Sequence, residues 1–158
     1  MVQSIRFLGV IALSVVLFSC SQTKTMTGRR DISKDTVMLQ RTVCYGRCPA
    51  YDLIIYGTGK VEFDGGAFSK TEGKVSVEIP VDSVRVLLNE IEESEFFSWN
   101  NEYLRQDATD LSSAIVTITI DGKSKKIKHY KGDSTAPEKL LTIERRIDEI
   151  TNSEQWTR

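Results

Sequence analysis

Cys44-Tyr45-Gly46-Arg47-Cys48-Pro49 concentrates the reactive side chains of this sequence. Two cysteines with three residues between them can form a disulfide, serve as a redox dithiol or contribute to a metal site. A disulfide closing this loop would restrict the unfolded chain by roughly 2 kcal/mol in the loop-entropy model. Gly46 and Pro49 supply the turn. Disulfide-exchange sites favour two intervening residues and a helix N-terminus that lowers the thiol pKa. Here three residues intervene and strand-like runs flank them. A metal needs more ligands, and the only histidine, His129, stands 81 residues beyond Cys48. A structural disulfide is our reading of Cys44 and Cys48, with the redox dithiol as its rival.

The other chemistry-bearing residues are more dispersed. His129 has no obvious nucleophile to serve, and a histidine satisfied by a hydrogen bond on an apolar face is the simpler reading. Glu102, Asp107 and Asp110 gather carboxylates near Tyr103, without the close alternating spacing calcium requires. Lys123, Lys125, Lys126, Lys128 and Lys131 make a basic strand. Such lysines protect an exposed sheet edge from pairing with other chains. Phe96, Phe97, Trp99 and Tyr103 either close the end of a core or form a patch. Trp99, Tyr103, Asp107 and Asp110 are therefore the candidate recognition patch. No glycine turn precedes a helix as a phosphate loop must. We assign no catalytic residue, no metal site and no cofactor.

The elements that must position these groups follow from periodicity. Residues 36–43 alternate as a first strand and 51–56 as a second. Gly57-Thr58-Gly59 turns into a strand at 60–64, and Asp64-Gly65-Gly66 into a fourth at about 67–79, where Gly73 suggests a bulge or break. Asp82 is the expected N-cap of a helix to about Glu95, with Val84, Leu87, Leu88 and Ile91 in one stripe. Residues 100–111 read as a polar loop. Strands 113–120 and 123–130 flank Asp121-Gly122, a two-residue hairpin turn that pairs Ile120 with Lys123 and Ala114 with His129. Thr135-Ala136-Pro137-Glu138 reads as a capping box for a helix to about Asn152, with Leu140, Ile143, Ile147 and Ile150 inward. The expected fold is α+β: an antiparallel sheet of about six strands, in the order ββββ-α-ββ-α, with two helices on one face.

The amino terminus is a separate matter. Arg6 precedes an apolar run from Phe7 to Phe18, the length of a signal-peptide core and short for a membrane span. Leu17-Phe18-Ser19-Cys20 resembles the lipobox of bacterial lipoproteins, in which the cysteine is acylated and becomes the first residue. We expect a signal peptide at 1–19, a lipidated flexible tether at 20–35, a single domain at 36–153 and a C-terminal tail at 154–158. Removing the leader, with one base and no acid, takes the formal net charge from −1 to about −2. That balance gives no electrostatic case for nucleic acid. With Cys20 on lipid, the other two of the three cysteines can pair.

Arg41-Thr42-Val43-Cys44-Tyr45-Gly46-Arg47-Cys48-Pro49-Ala50-Tyr51 is similar to the opening of the domain-of-unknown-function family numbered 6438. The resemblance continues through Tyr56, Gly57 and Gly59, Val61 and Phe63, Phe96 and Phe97, Tyr103, Thr109 and Asp110, covering roughly residues 36–152. It implies an extracytoplasmic bacterial domain, often behind a lipoprotein leader, and implies no reaction. The expected function is a non-enzymatic binding or envelope-assembly module. Lipid on Cys20 would hold it to a membrane, and its partner would be an envelope protein or glycan. The alternative is a periplasmic thiol-disulfide protein using Cys44 and Cys48. Ser21 and Gln22 lack an acidic retention signal, which suggests the outer membrane, facing the periplasm.

Overall fold

The computed structural model describes residues 29–104 and 110–158. The leader, Cys20, the first part of the tether and Asp107 lie outside the described residues. Alternation builds the sheet. In β1 (Thr36–Arg41) Val37 and Leu39 are buried; β2 (Tyr51–Tyr56) buries Tyr51, Leu53 and Ile55; β3 (Lys60–Gly65) buries Val61 and Phe63. A period of two places each set on one face. With β4 (Gly73–Glu78), β5 (Glu102–Tyr103), β6 (Ser113–Ile120) and β7 (Lys123–Tyr130), these strands form one seven-stranded sheet in the order β4-β3-β2-β1-β6-β7-β5. Every pairing is antiparallel except β5 with β7, which is parallel.

The helices cover the apolar face. α1 (Val81–Glu93) turns Val84, Leu87, Leu88 and Ile91 into the core, and α2 (Glu138–Thr151) turns in Leu140, Ile143 and Ile147. Burying each such leucine or isoleucine contributes about 1.5–3 kcal/mol. The α+β class, the antiparallel pairing and the register of the β6–β7 hairpin are as the sequence suggested. Ile120 faces Lys123 and Ala114 faces His129. Asp121 and Gly122 both take positive φ, 50° and 76°, as a two-residue turn of this hand requires.

Five local expectations change. β4 begins at Gly73, whose φ of +82° breaks the extended run, so residues 67–72 form a loop rather than strand. Within 100–111, Glu102–Tyr103 is a short strand that covers part of the lysine-rich edge of β7. Asp82 lies in the first turn of α1, whose N-cap is Pro80. The capping box at Thr135 is not made: α2 starts at Glu138 with Pro137 as N-cap. Asp133 Oδ1 instead accepts from the N–H groups of Thr135 and Ala136, at 2.7 and 3.0 Å. A proline biases the residue before it away from helical backbone, so the turn tightens earlier, on Asp133.

The fifth change is at the two ends of the domain. Residues 154–158, expected as a tail, carry α3 (Glu154–Thr157), and Trp156 sits in the core with its ring 4.9 Å from Phe63. Asn152, at φ 51°, ends α2 and turns the chain back. At the other end, Ile32 and Asp35 of the expected tether are buried, each 3% exposed. Gly57 permits this: a Cβ there would lie 1.6 Å from the Ile32 carbonyl oxygen. The Gly57 N–H donates to Asp35 O at 2.8 Å.

Candidate functional site

One cross-strand row organises the polar end of the molecule. The register aligns Gly65 with Tyr51, Tyr51 with Arg41, Arg41 with Ala114, Ala114 with His129, and His129 with Tyr103. Alternation turns this row toward the helices, on the face of Leu39, Leu53 and Ile127. Ala114 is the small residue at its centre, which leaves room for the guanidinium on one side and the imidazole on the other.

α2 crosses above the row and supplies the counter-charges. Glu144 and Asp148 are four residues apart, one helical turn, and so share a face. Glu144 Oε2 accepts from Arg41 at 3.1 Å, and its Oε1 lies 2.8 Å from His129 Nδ1. Asp148 Oδ2 accepts from Arg41 at 2.8 Å. Its Oδ1 accepts from the Tyr51 hydroxyl at 2.6 Å and the Ser153 hydroxyl at 2.7 Å. Arg41 Nε donates to the Tyr51 oxygen at 3.3 Å. The partners run from β7 through β1 to β2, so the helix lies across the strands rather than along them.

Burial sets the protonation chemistry. Enclosure by itself disfavours the Arg41 charge, but Asp148, Tyr51 and Glu144 outweigh it and hold the guanidinium above its ordinary pKa. Burial, then the Asp148 carboxylate, push the Tyr51 phenol up to about 12. Arg41 is therefore a fixed cation and Tyr51 a fixed donor.

Beside this network opens a cleft of about 1200 Å³, walled by Arg47, Cys48 and Pro49 of the cysteine loop on one side and by α2 and α3 on another. Cys44 and Cys48 are bonded, S–S 2.02 Å, with Cα atoms 5.6 Å apart. No helix starts at either cysteine. The Tyr45 N–H donates to Asp110 O at 2.9 Å, while the Tyr45 side chain is 91% exposed. Lys131 is exposed by surface area, yet enough of it is enclosed that burial, followed by the Arg41 charge, lowers its pKa.

Of the candidate recognition patch, the described residues Trp99, Tyr103 and Asp110 do not share one surface. Tyr103 is buried, its hydroxyl oxygen accepting the Asn100 N–H at 3.1 Å. Trp99 packs on Phe96 with ring centroids 5.6 Å apart. It lies toward the hairpin tip, where Lys125 Nζ donates to the carbonyls of Phe97 and Trp99. Asp110 is at the opposite end, beside the cysteine loop. Both aromatics serve the core because 3₁₀-helix η1 (Phe96–Ser98) folds back at once, with Glu95 in the left-handed conformation. Among the described residues no group of three or more His, Cys, Asp or Glu could hold a metal ion.

Sequence reasoning missed Arg41, Tyr51, Glu144 and Asp148 as one cluster. Two signals were present. Arg41 and Tyr51 flank the cysteine loop, and Glu144 falls on the apolar stripe, four residues from Leu140.

These features define a class: an α+β sheet domain with a buried ionic network and a disulfide-bounded cleft at one end. A family model described as "Domain of unknown function (DUF6438)" matches residues 35–151. The chain belongs to that family. No curated protein matches it significantly.

Proposed function

We propose that this protein is a lipid-anchored, extracytoplasmic bacterial binding or envelope-assembly module, without enzymatic activity of its own, that engages its partner through the cleft. One observation carries the reading: the chain enters and the cleft opens at opposite ends of β1. The entering segment packs on the β2–β3 and β6–β7 turns, through Gly57 N–H to Asp35 O and Asp121 N–H to Asp35 Oδ1, at 2.8 and 3.0 Å. Five residue steps along β1, about 17 Å, separate that end from Arg41. A lipid on Cys20 would be joined to Arg29 by a stretch spanning at most about 30 Å. Such a tether leaves the cleft free to face away from the bilayer, toward an envelope protein or glycan. The outer membrane, on its periplasmic side, is the proposed location. The polar groups under the cleft already bond one another, as suits a rigid binding floor.

The rival is a thiol-disulfide protein. Against it stands the absence of any helix N-terminus at Cys44 or Cys48, the feature that activates exchange thiols. One experiment separates the two. A photo-crosslinking amino acid replaces Leu141 on the cleft, or Thr117 on the opposite sheet face, in cells making the full chain. A saturable adduct from position 141 alone is expected, together with release from the membrane fraction on Cys20→Ser. Thiol-cleavable adducts of Cys48→Ser would favour the redox protein. Equal adducts from both faces, or none, would overturn the cleft as the binding surface.

A further inference from the structure

The cleft carries more information than its position. Among the described residues that line it, five are Arg or Lys and four are Asp or Glu. These side-chain charges nearly cancel, which suits a monoanion better than a phosphate dianion. The basic residues are not equivalent. Arg41 is held by Glu144 and Asp148, Arg145 lies 3.5 Å from Glu149, and Arg158 lies 2.8 Å from Glu154. Arg47 and Lys131 make no ion pair among the described residues. One stands on the cysteine loop and the other just past β7, so the cations outside any ion pair sit on two walls.

An apolar contact lies on the same cleft. Phe68 lines it, is 51% exposed, and takes φ +64°. That conformation costs a residue with a Cβ on the order of 1 kcal/mol. The strain persists because the loop is pinned: Ser69 Oγ donates to Ala50 O at 2.9 Å, Ala50 N to Ala67 O at 2.9 Å, and Thr71 N to Trp156 O at 2.9 Å. An aromatic ring kept outside the core by a rigid, strained loop is prepaid for contact. Leu141, 44% exposed, lines the same cleft.

We propose that the cleft binds a monoanionic carboxylate next to an apolar or aromatic group, with Arg47 and Lys131 taking the carboxylate and Phe68 the apolar group. A free organic acid and the C-terminus of a polypeptide share this chemistry. The inference rests on the cleft being the binding surface.

The test is a ligand-observed NMR titration of the purified full chain in detergent. The probes are N-acetylphenylalanine, its amide, phenyl phosphate, and a hexapeptide ending in phenylalanine with a free C-terminus. The acid should bind at least about tenfold more tightly than the amide, the scale of a charge-assisted hydrogen bond. Phenyl phosphate should gain nothing over it. Tighter binding of the hexapeptide points to a polypeptide terminus, and equal binding to a free acid; both support the site. Arg47→Gln and Lys131→Gln should each weaken the acid about tenfold. Phe68→Gly separates binding from folding: it should lower affinity without lowering the unfolding midpoint, because glycine accepts this φ freely. An amide that binds as well as the acid, a tighter phosphate, or affinity unmoved by the Arg47 and Lys131 variants would overturn the proposal. If cleft crosslinking succeeds while no carboxylate binds, the ligand class falls and the binding surface stands; if both fail, the cleft reading falls too.

Discussion

Arg30 and Arg41 do the same work in different solvent. Each guanidinium gathers carboxylates from separate parts of the chain. Arg30 reaches Asp35, Asp121 and Glu92 at 2.9, 3.0 and 3.7 Å, tying the entering segment to the hairpin turn and to α1. Arg41 ties β1 to α2. Two of Arg30's three partners, Asp121 and Glu92, are 60% and 43% exposed and the third, Asp35, is 4% exposed, whereas Arg41's partners Glu144 and Asp148 are 6% and 26% exposed. Water can rescue two of the three carboxylates that Arg30 would leave, while Asp35 keeps the Asp121 N–H. It cannot readily reach Glu144, which Arg41 would leave beside His129. An ion pair's consequence for stability is set less by its distance than by the fate of the partner once the pair is broken.

The comparison can be broken most forcefully at Arg41. Arg41→Ala strands Glu144 and leaves Asp148 without its cation, and should cost about 3–5 kcal/mol of unfolding free energy, read from urea melts of the full chain. The loss should be nearly insensitive to salt, since buried pairs are poorly screened.

A finer probe is Tyr51→Phe, which removes the donor to Asp148 and should cost about 1.5–3 kcal/mol. It also carries a pH signature. The folded phenol titrates at about 12, above its ordinary value of 10.0. Between those values the unfolded chain has lost the proton that the native chain keeps, so the contribution is complete below pH 10 and fades as pH rises toward 12. Absorbance at alkaline pH should show one late-titrating tyrosine that the Tyr51→Phe chain lacks, with a correspondingly flatter stability profile.

The smallest effect is expected at Arg30. Arg30→Ala should cost about 1–2 kcal/mol: Asp121 and Glu92 return to water, while buried Asp35 loses its cation but keeps the Asp121 N–H. That cost should shrink further at high salt. Equal losses at Arg30 and Arg41 would show that burial does not distinguish the two ends.

Much of the framework was legible beforehand. Asp121-Gly122 set the hairpin register, and that register alone placed His129 beside Ala114 on the inner face. The 3.6-residue stripes located both helices. The capping box failed because two readings of one segment competed, and Asp133 with Pro137 offered the backbone a tighter turn than Thr135 did. Trp156 was passed over because four residues between an αL break and the chain end carry no period, so nothing local signals that Phe63 awaits the ring. That Phe96, Trp99 and Tyr103 close the end of a core was the simpler reading of an aromatic cluster just past an amphipathic helix, while the reversal at Glu95 that packs them there has no local signal.

By itself the sequence determined the strands, the two long helices, the tight hairpin and the proximity of Cys44 to Cys48, because each depends on residues within a few positions of one another. Tertiary structure alone decided that Arg41, His129, Glu144 and Asp148 meet, that Phe68 is held outward, and that the entering chain and the cleft lie at opposite ends. A charged residue on an inward-facing position looks like a flaw in a hydrophobic pattern until its partner is known. The partner of Arg41 lies more than a hundred residues away in the chain, 103 to Glu144 and 107 to Asp148, and only the crossing of α2 over the strands brings it within a hydrogen bond.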